Sequence, residues 1–171
     1  SSLAGVVAGA HEAGAEAVGM RFGIQGFLDG RTVALDEALP DADALELLRH
    51  TPSSWLGSCR FKLPALDAEG ADEFYQKAFA AFADGGFDAV LYVGGNDSMD
   101  TIGKLGAYGA RIDSPIRFIG VPKTIDNDLV GIDHTPGYGS AARFVATAVS
   151  EVSRDADVYD LKSVTFVEIM G

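Results

Sequence analysis

The sequence contains a single cysteine, Cys59, and only about half as many basic residues as acidic ones. One cysteine allows no intrachain disulfide and no cysteine cluster for zinc, and we expect it to be packed rather than nucleophilic. The net charge of −12 disfavours nucleic acid and anionic membranes as partners. No stretch resembles a signal peptide or a membrane span, which predicts a soluble, cytoplasmic protein.

Apolar residues are abundant by contrast, at 47% of 171 residues. That is enough for a substantial core in a chain the size of one ordinary domain. Both ends of the sequence lie inside predicted elements, a helix at the start and a strand at the finish. We therefore expect the chain to be a fragment of a longer protein.

Strand and helix patterns alternate along the second half of the chain. Runs rich in β-branched and aromatic residues predict buried strands over 87–95, 116–121 and 163–171, with helices over 100–109 and 141–156. This alternation predicts an α/β fold with a mostly parallel, doubly wound sheet between two helical layers. The first half predicts helices over 1–14, 41–50 and 67–86, a strand over 15–20, a loop with a turn or hairpin over 23–36, and a loop over 51–61.

Three unusual segments follow the predicted strands, at Gly94, Pro122 and Met170. In open α/β sheets, ligands bind beyond the carboxyl ends of the strands. We therefore expect these segments to converge on one edge of the sheet.

The first of these segments reads VGGNDSMDT. Gly94 and Gly95 let the backbone approach a ligand closely, and the amides of a following helix suit a phosphate. Asn96 and Asp97 could reach a metal ion or its water shell. The alternative is a tight turn with Asp97 or Ser98 as a helix N-cap.

The second segment, PKTIDND, concentrates carboxylates after a buried strand. In an extended loop, Thr124, Asp126 and Asp128 would point to one side. Two carboxylates about 4 Å apart repel by roughly 1 kcal/mol in water and about 4 kcal/mol at a partly buried site. Such pairs usually share a proton, a metal or a cation, and Mg²⁺ prefers oxygen ligands. A carboxylate not committed to metal could accept a proton from a substrate hydroxyl, and the alternative is an Asx turn.

Other candidate residues carry weaker signals. Arg60 is either a phosphate ligand or a solvated loop residue, and His134 is either a partner of the acidic loop or a surface residue. A glycine-rich helix start could bind an anion or be a plain cap; it comprises Gly137, Gly139 and Ser140. The sequence has no Gly-x-Ser-x-Gly elbow and no Gly-x-x-x-x-Gly-Lys-Ser/Thr phosphate loop.

Five segments, in this order and spacing, resemble the phosphofructokinase family: WLGSCRF, VGGNDS, PKTIDND, PGYGSA and VEIMG. The resemblance implies a phosphofructokinase-like, Rossmann-like fold that is incomplete here. Residues 1–171 would form part of the N-terminal, phosphate-donor-binding domain, without the first glycine-rich loop and the C-terminal half. It also implies Mg²⁺-dependent phosphoryl transfer to the 1-hydroxyl of fructose 6-phosphate, a step of glycolysis. The fragment alone is expected to be inactive, and the full-length protein is expected to be a homodimer or homotetramer.

Two positions bear on the phosphate donor. ATP-using members typically carry glycine where this sequence has Asp97 and Lys123, and members with this pair are typically pyrophosphate-dependent and can run in both directions. A carboxylate at position 97 would add bulk and negative charge where ATP continues past its two terminal phosphates. Lys123 would pair with a phosphate as a point charge. The alternatives are an ATP-dependent 6-phosphofructokinase and a non-catalytic regulatory homologue.

The resemblance also implies individual roles. Asp126 matches the proton acceptor, with Lys123 and Asp97 as its catalytic companions, and Asp128 matches a carboxylate associated with the metal. Asn96 stands where an aspartate often serves Mg²⁺, so water, Asp128 and pyrophosphate would hold much of the ion. Ser163 stands where many bacterial ATP enzymes have an arginine that reaches a neighbouring subunit. The implied substrate-binding residues are Gly94, Gly95, Ser98, Arg60, Thr124, Ile125, Asp126, Met170 and Gly171.

Overall fold

Residues 2–169 are described by the structure, a computed structural model, and the chain divides into two compact units between Val121 and Pro122. The first unit contains both clusters of buried apolar residues, and the second contains residues 123–137, which we call the acidic loop, and one long helix. The helices are α1 (Ser2–Glu12), α2 (Gly23–Leu28), α3 (Leu35–Ala38), α4 (Ala42–His50), α5 (Ala71–Asp84), α6 (Asn96–Arg111) and α7 (Tyr138–Ala156). The strands are β1 (Val18–Met20), β2 (Thr32–Ala34), β3 (Ala89–Gly94) and β4 (Arg117–Pro122).

The mixture of helices and strands confirms the α/β class. Strands β1 and β2 form an antiparallel pair, and β3 pairs with β4 in a second two-stranded sheet. Helix α6 connects β3 to β4, which is the kind of long crossover that parallel strands require. The three-layer arrangement stays a prediction. Among residues 2–169, the structure has no helix with the length and apolar character needed to cross a membrane.

The loop predicted over 23–36 is wrong in part, because it contains α2 and β2. Ile24 and Phe27 are spaced one helical turn apart. Both are buried in the larger cluster of apolar side chains, which we call the main core and which also contains Phe79 and Phe82. This burial outweighs the low helix propensity of the glycines in the segment. Gly26 is required there, since a β-carbon at that position would lie 1.8 Å from the carbonyl oxygen of Arg21.

Helix α5 supplies the largest apolar face of the first unit. Its buried residues recur at helical spacing and belong to the main core together with residues of α6; those of α5 are Ala71, Tyr75, Ala78, Phe79 and Phe82. The rings of Tyr75 and Tyr108 stack with centroids 4.7 Å apart, which joins α5 to α6. The Tyr75 hydroxyl donates a hydrogen bond of 2.8 Å to the carbonyl oxygen of Pro64, so the core also anchors the loop that carries Arg60. Burial, and to a lesser degree Asp100, raises the pKa of Tyr75, which keeps this donor protonated.

Helix α4 follows its sequence signals closely. Asp41 is the N-cap, and its carboxylate accepts a 2.8 Å hydrogen bond from the backbone N–H of Ala44. Helix α6 departs from its prediction, because it begins at Asn96 rather than at residue 100. The N–H groups of Ser98 and Met99 already bond the carbonyl oxygen of Gly95, each at 3.0 Å.

The strand predicted over 163–171 is not formed over its described part, residues 163–169. A β-branched run becomes a strand only where a neighbouring strand exchanges backbone hydrogen bonds with it. No such pairing forms along residues 163–169, and Phe166 in this segment is 92% exposed. Local pattern alone therefore did not decide the conformation of this segment.

Candidate functional site

The first candidate segment is the turn from β3 into α6, which lies in the first unit. Ser98 lies in the first turn of the helix and folds its side chain back over Gly94. A β-carbon on Gly94 would lie 1.9 Å from Ser98 Oγ and 2.4 Å from Ser98 Cβ. Gly94 is therefore needed for this tight turn, and its contact with a ligand stays a prediction.

The N-cap of α6 is Gly95, which has no side chain to accept a cap hydrogen bond. The alternative in which Asp97 or Ser98 caps the helix is therefore wrong. Asn96 and Asp97 lie inside the first helical turn, where the positive end of the helix dipole favours negative charge. A carboxylate at position 97 is consequently stabilised locally, next to the backbone amides that could receive a phosphate.

Changing Gly94 to alanine is expected to lower the free energy of unfolding by about 1–3 kcal/mol, because the new methyl group collides with Ser98. Gly103→Ala in the same helix is the matched control. A β-carbon there meets nothing within 4 Å, so this change should be neutral or stabilising by roughly 0.5–1 kcal/mol. Urea unfolding of the purified variants measures both effects. Adding Ser98→Gly should restore part of the loss, and equal stability of the two alanine variants would contradict the expectation.

The loop before α5 carries two basic residues, of which the structure places Lys62 beside this turn. Arg60 is exposed, and Lys62 places its Nζ 3.4 Å from Oδ1 of Asp97. Leu63 and Pro64 anchor the loop next to them, through burial of Leu63 and the Tyr75 hydrogen bond to Pro64. Sequence reasoning missed Lys62, because no local pattern indicates which helix a long loop contacts.

Cys59 packs beside the main core, as its predicted structural role requires. A β-carbon on Gly23 would lie 2.8 Å from its Sγ, so the thiol fills space left by that glycine. Burial, followed by the neighbouring Cys59, raises the pKa of Tyr92. The tyrosine hydroxyl therefore stays protonated within this packed group.

The second candidate segment is the acidic loop, residues 123–137, which belongs to the second unit and is described by itself. Asn127 adopts a left-handed backbone conformation with φ of 54°. Its amide Nδ2 donates to the carbonyl oxygen of Asp133 at 3.0 Å, and its Oδ1 accepts from the N–H of Thr135 at 2.9 Å. Thr135 is buried, and its hydroxyl donates to the carbonyl oxygen of Thr124 at 2.8 Å. Asn127 and Thr135 thus tie the two arms of the loop together.

The alternation of Thr124, Asp126 and Asp128 depended on an extended loop, and that condition is not met, because Asn127 between the two aspartates is left-handed. The backbone N–H of Asp126 donates to Thr124 Oγ1 at 3.1 Å, which fixes the backbone that carries the carboxylate. Among the residues predicted to act on the substrates or the metal here, Thr124 is half-buried and the others are solvent-exposed; these are Lys123, Ile125, Asp126 and Asp128.

The glycine-rich start of α7 also differs from its prediction. The helix begins at Tyr138, so Gly139 and Ser140 lie inside its first turn rather than before it. Gly137 is the N-cap with φ of 106°, a conformation that favours glycine, and it forms a parallel bridge with Thr124. The ring of His134 lies 6.2 Å from that of Tyr138, beside the helix start. Met170 and Gly171 lie outside the described residues.

Within 2–169, no group of three or more histidine, cysteine, aspartate or glutamate side chains could hold a metal ion. Mg²⁺ in phosphoryl-transfer sites commonly takes one or two protein carboxylates, with water and substrate phosphates completing the shell. The exposed acidic loop fits a site of that shared kind and does not fit a closed protein cage.

Comparison with known proteins bears directly on the family. The phosphofructokinase family model matches residues 1–171. The pyrophosphate–fructose 6-phosphate 1-phosphotransferase of Xanthomonas campestris is 37% identical over 173 residues, which cover 100% of this chain and 40% of that protein. The enzyme of the same name from Rhodospirillum rubrum is 43% identical over 133 residues, covering 78% of this chain and 31% of that protein.

A solved structure agrees with these relatives. The crystal structure of the pyrophosphate-dependent phosphofructokinase of Nitrosospira multiformis superposes with a TM-score of 0.81 at 34% identity, covering 91% of this chain and 38% of that one. The chain thus spans about two fifths, or less, of the length of these proteins. The whole-chain family match and the shared fold confirm the resemblance carried by the five sequence segments, and the chain belongs to the phosphofructokinase family.

Proposed function

We propose that residues 1–171 form part of the donor-binding domain of a pyrophosphate–fructose 6-phosphate 1-phosphotransferase. The observation that carries this proposal is the position of Asp97 in the first turn of α6, two residues after Gly95. The names of the relatives from Xanthomonas campestris and Rhodospirillum rubrum support the same donor.

Donor choice follows from charge and space at the start of α6. The helix N-terminus offers backbone amides to a phosphate group. Asp97 places a carboxylate in that turn, where it opposes the further phosphate and nucleoside of ATP. Pyrophosphate is shorter and ends before this obstacle. Lys123, exposed at the start of the acidic loop, supplies positive charge to the transferring group and the departing phosphate.

The reaction transfers one phosphoryl group to a sugar hydroxyl. The 1-hydroxyl oxygen of fructose 6-phosphate attacks a phosphorus of pyrophosphate, and the bond from that phosphorus to the bridging oxygen breaks. The departing phosphate keeps the bonding electrons. Asp126 accepts the hydroxyl proton, and its backbone is held for this role by the hydrogen bond to Thr124 Oγ1.

Magnesium fits this proposal as an ion whose ligands come partly from the protein and partly from the substrate. Asp128, and Asn96 through its amide oxygen or a water, would hold the ion together with pyrophosphate oxygens. When bound, the ion neutralises charge on the phosphates. On this proposal, the chain's own residues bind the donor, accept the proton of the sugar hydroxyl through Asp126, and place the charge of Lys123 beside the transferring group.

Donor assays of the full-length protein that carries this sequence test the proposal. With Mg²⁺ and fructose 6-phosphate, we expect turnover with pyrophosphate and little or none with ATP. Strong ATP turnover without pyrophosphate turnover would establish the ATP-dependent alternative. A folded protein that is inactive with both donors would instead indicate a regulatory homologue.

A further inference from the structure

Lys62 precedes a residue that anchors its loop to the main core and to α6. Leu63, the next residue, is 3% exposed and belongs to the main core. Its carbonyl oxygen accepts a 3.2 Å hydrogen bond from Nζ of Lys104, which also pairs with Asp100 at 2.7 Å. Because α6 carries both Lys104 and Asp97, this anchor holds Lys62 alongside the first turn of that helix.

The pair of Lys62 and Asp97 does little for stability where it lies. The two side chains are 78% and 81% exposed, and their charged atoms are 3.4 Å apart. Exposed pairs of this kind are strongly screened and contribute little to the free energy of unfolding. The anchored loop nevertheless brings a lysine to the carboxylate that, on the proposed function, selects the phosphate donor.

We propose that Lys62 is a positioning residue for the phosphate donor, acting through Asp97. A carboxylate beside pyrophosphate repels it, and that repulsion would weaken binding of the very donor that Asp97 selects. Lys62 offsets this charge and holds the carboxylate to one side of the helix start. Asp97 then excludes ATP by its bulk and its position while pyrophosphate still binds. This inference rests on the proposed function.

Kinetics of Lys62→Ala in the full-length protein test the inference. We expect the KM for pyrophosphate to rise roughly 3- to 10-fold, the size expected when one charge near a polyanion loses its screened partner. The kcat and the KM for fructose 6-phosphate should change less than about twofold, since Lys62 touches neither the acceptor nor the transferring group. Lys62→Arg should restore the pyrophosphate KM, and Lys77→Ala, at an exposed lysine of α5, is the matched control.

A second background separates action through Asp97 from direct contact with phosphate. In an Asp97→Asn protein the carboxylate charge is gone, so Lys62→Ala should then change the pyrophosphate KM less than about twofold. An equal rise in both backgrounds, or an unchanged KM in the first, would overturn the inference. If the unmodified protein turns over pyrophosphate and Lys62→Ala leaves its KM unchanged, the inference about Lys62 is wrong and the proposed function stands. Turnover with ATP and none with pyrophosphate removes the proposed function as well.

Discussion

Replacing Asp126 with asparagine should lower the kcat of the full-length protein by about 10²–10⁴-fold, the usual contribution of a general base. Asparagine keeps the size of the side chain and leaves the backbone hydrogen bond from residue 126 to Thr124 Oγ1 in place. It removes the negative charge, and with it the capacity to accept the sugar proton. Steady-state kinetics with pyrophosphate and fructose 6-phosphate measure the effect, and both KM values should stay within a few-fold.

Asp133→Asn is the matched control for this change. Asp133 is an exposed carboxylate of the same loop, and it holds the loop through its backbone carbonyl, which accepts the bond from Asn127. Its side-chain change should therefore leave kcat close to that of the unmodified protein. A near-normal kcat in Asp126→Asn would assign proton acceptance to another group and leave Asp126 a binding role.

Elements governed by short-range signals were predicted well from the sequence. Helix α4 begins after Asp41, which caps it. Strands β3 and β4 formed within two residues of where β-branched runs predicted them, although their predicted burial on both faces is wrong, since Leu91 and Ile119 are exposed. Each of these depends on neighbours within a few residues of the chain, or on an apolar pattern that needs only to be buried. The family was recognisable for a related reason, because the order of five short segments can be read without any contact between them.

Features that depend on distant contacts were not predictable. The shape of the acidic loop depends on Asn127, whose side chain forms hydrogen bonds to the backbone of residues 133 and 135. These partners lie six and eight positions away, which is beyond the reach of the rules for short turns. Helix α2 formed because the core accepted Ile24 and Phe27, against the propensity of its glycines. Lys62 reached Asp97 through the anchoring of Leu63 and Lys104. The predicted strand at 163–169 depends on a neighbouring strand, which its own sequence cannot specify.

For the acidic loop, the sequence indicates the chemistry of the residues but not the hydrogen bonds that orient them. Residue types in a loop indicate the chemistry, here carboxylates and one lysine after a buried strand. The bonds that orient those residues come from polar side chains with no catalytic appearance, Asn127 and Thr135. Such residues can be identified from sequence only when a left-handed asparagine can be recognised. Asparagine and aspartate are among the non-glycine residues enriched in that conformation.

The paired change Asp97→Gly and Lys123→Gly should remove most pyrophosphate turnover, with kcat/KM for pyrophosphate falling about 10²–10³-fold. That is the size expected when a preorganised charge at the transferring group is lost. ATP turnover should rise above that of the unmodified protein, because the carboxylate no longer opposes the longer phosphate chain. Assays with both donors measure the exchange, and unchanged pyrophosphate kinetics would exclude both residues from donor recognition.

Two controls separate charge from backbone effects in that experiment. Glycine at position 97 lies inside α6 and is expected to reduce stability by roughly 1 kcal/mol, so urea unfolding must show that the variant is folded under assay conditions. Lys123→Ala removes the charge and keeps an ordinary backbone at the start of the acidic loop. If lysine acts by its charge, Lys123→Ala and Lys123→Gly should lose pyrophosphate turnover to the same extent. A loss confined to the glycine variant would mean that loop rigidity, rather than lysine charge, sustains the reaction with pyrophosphate.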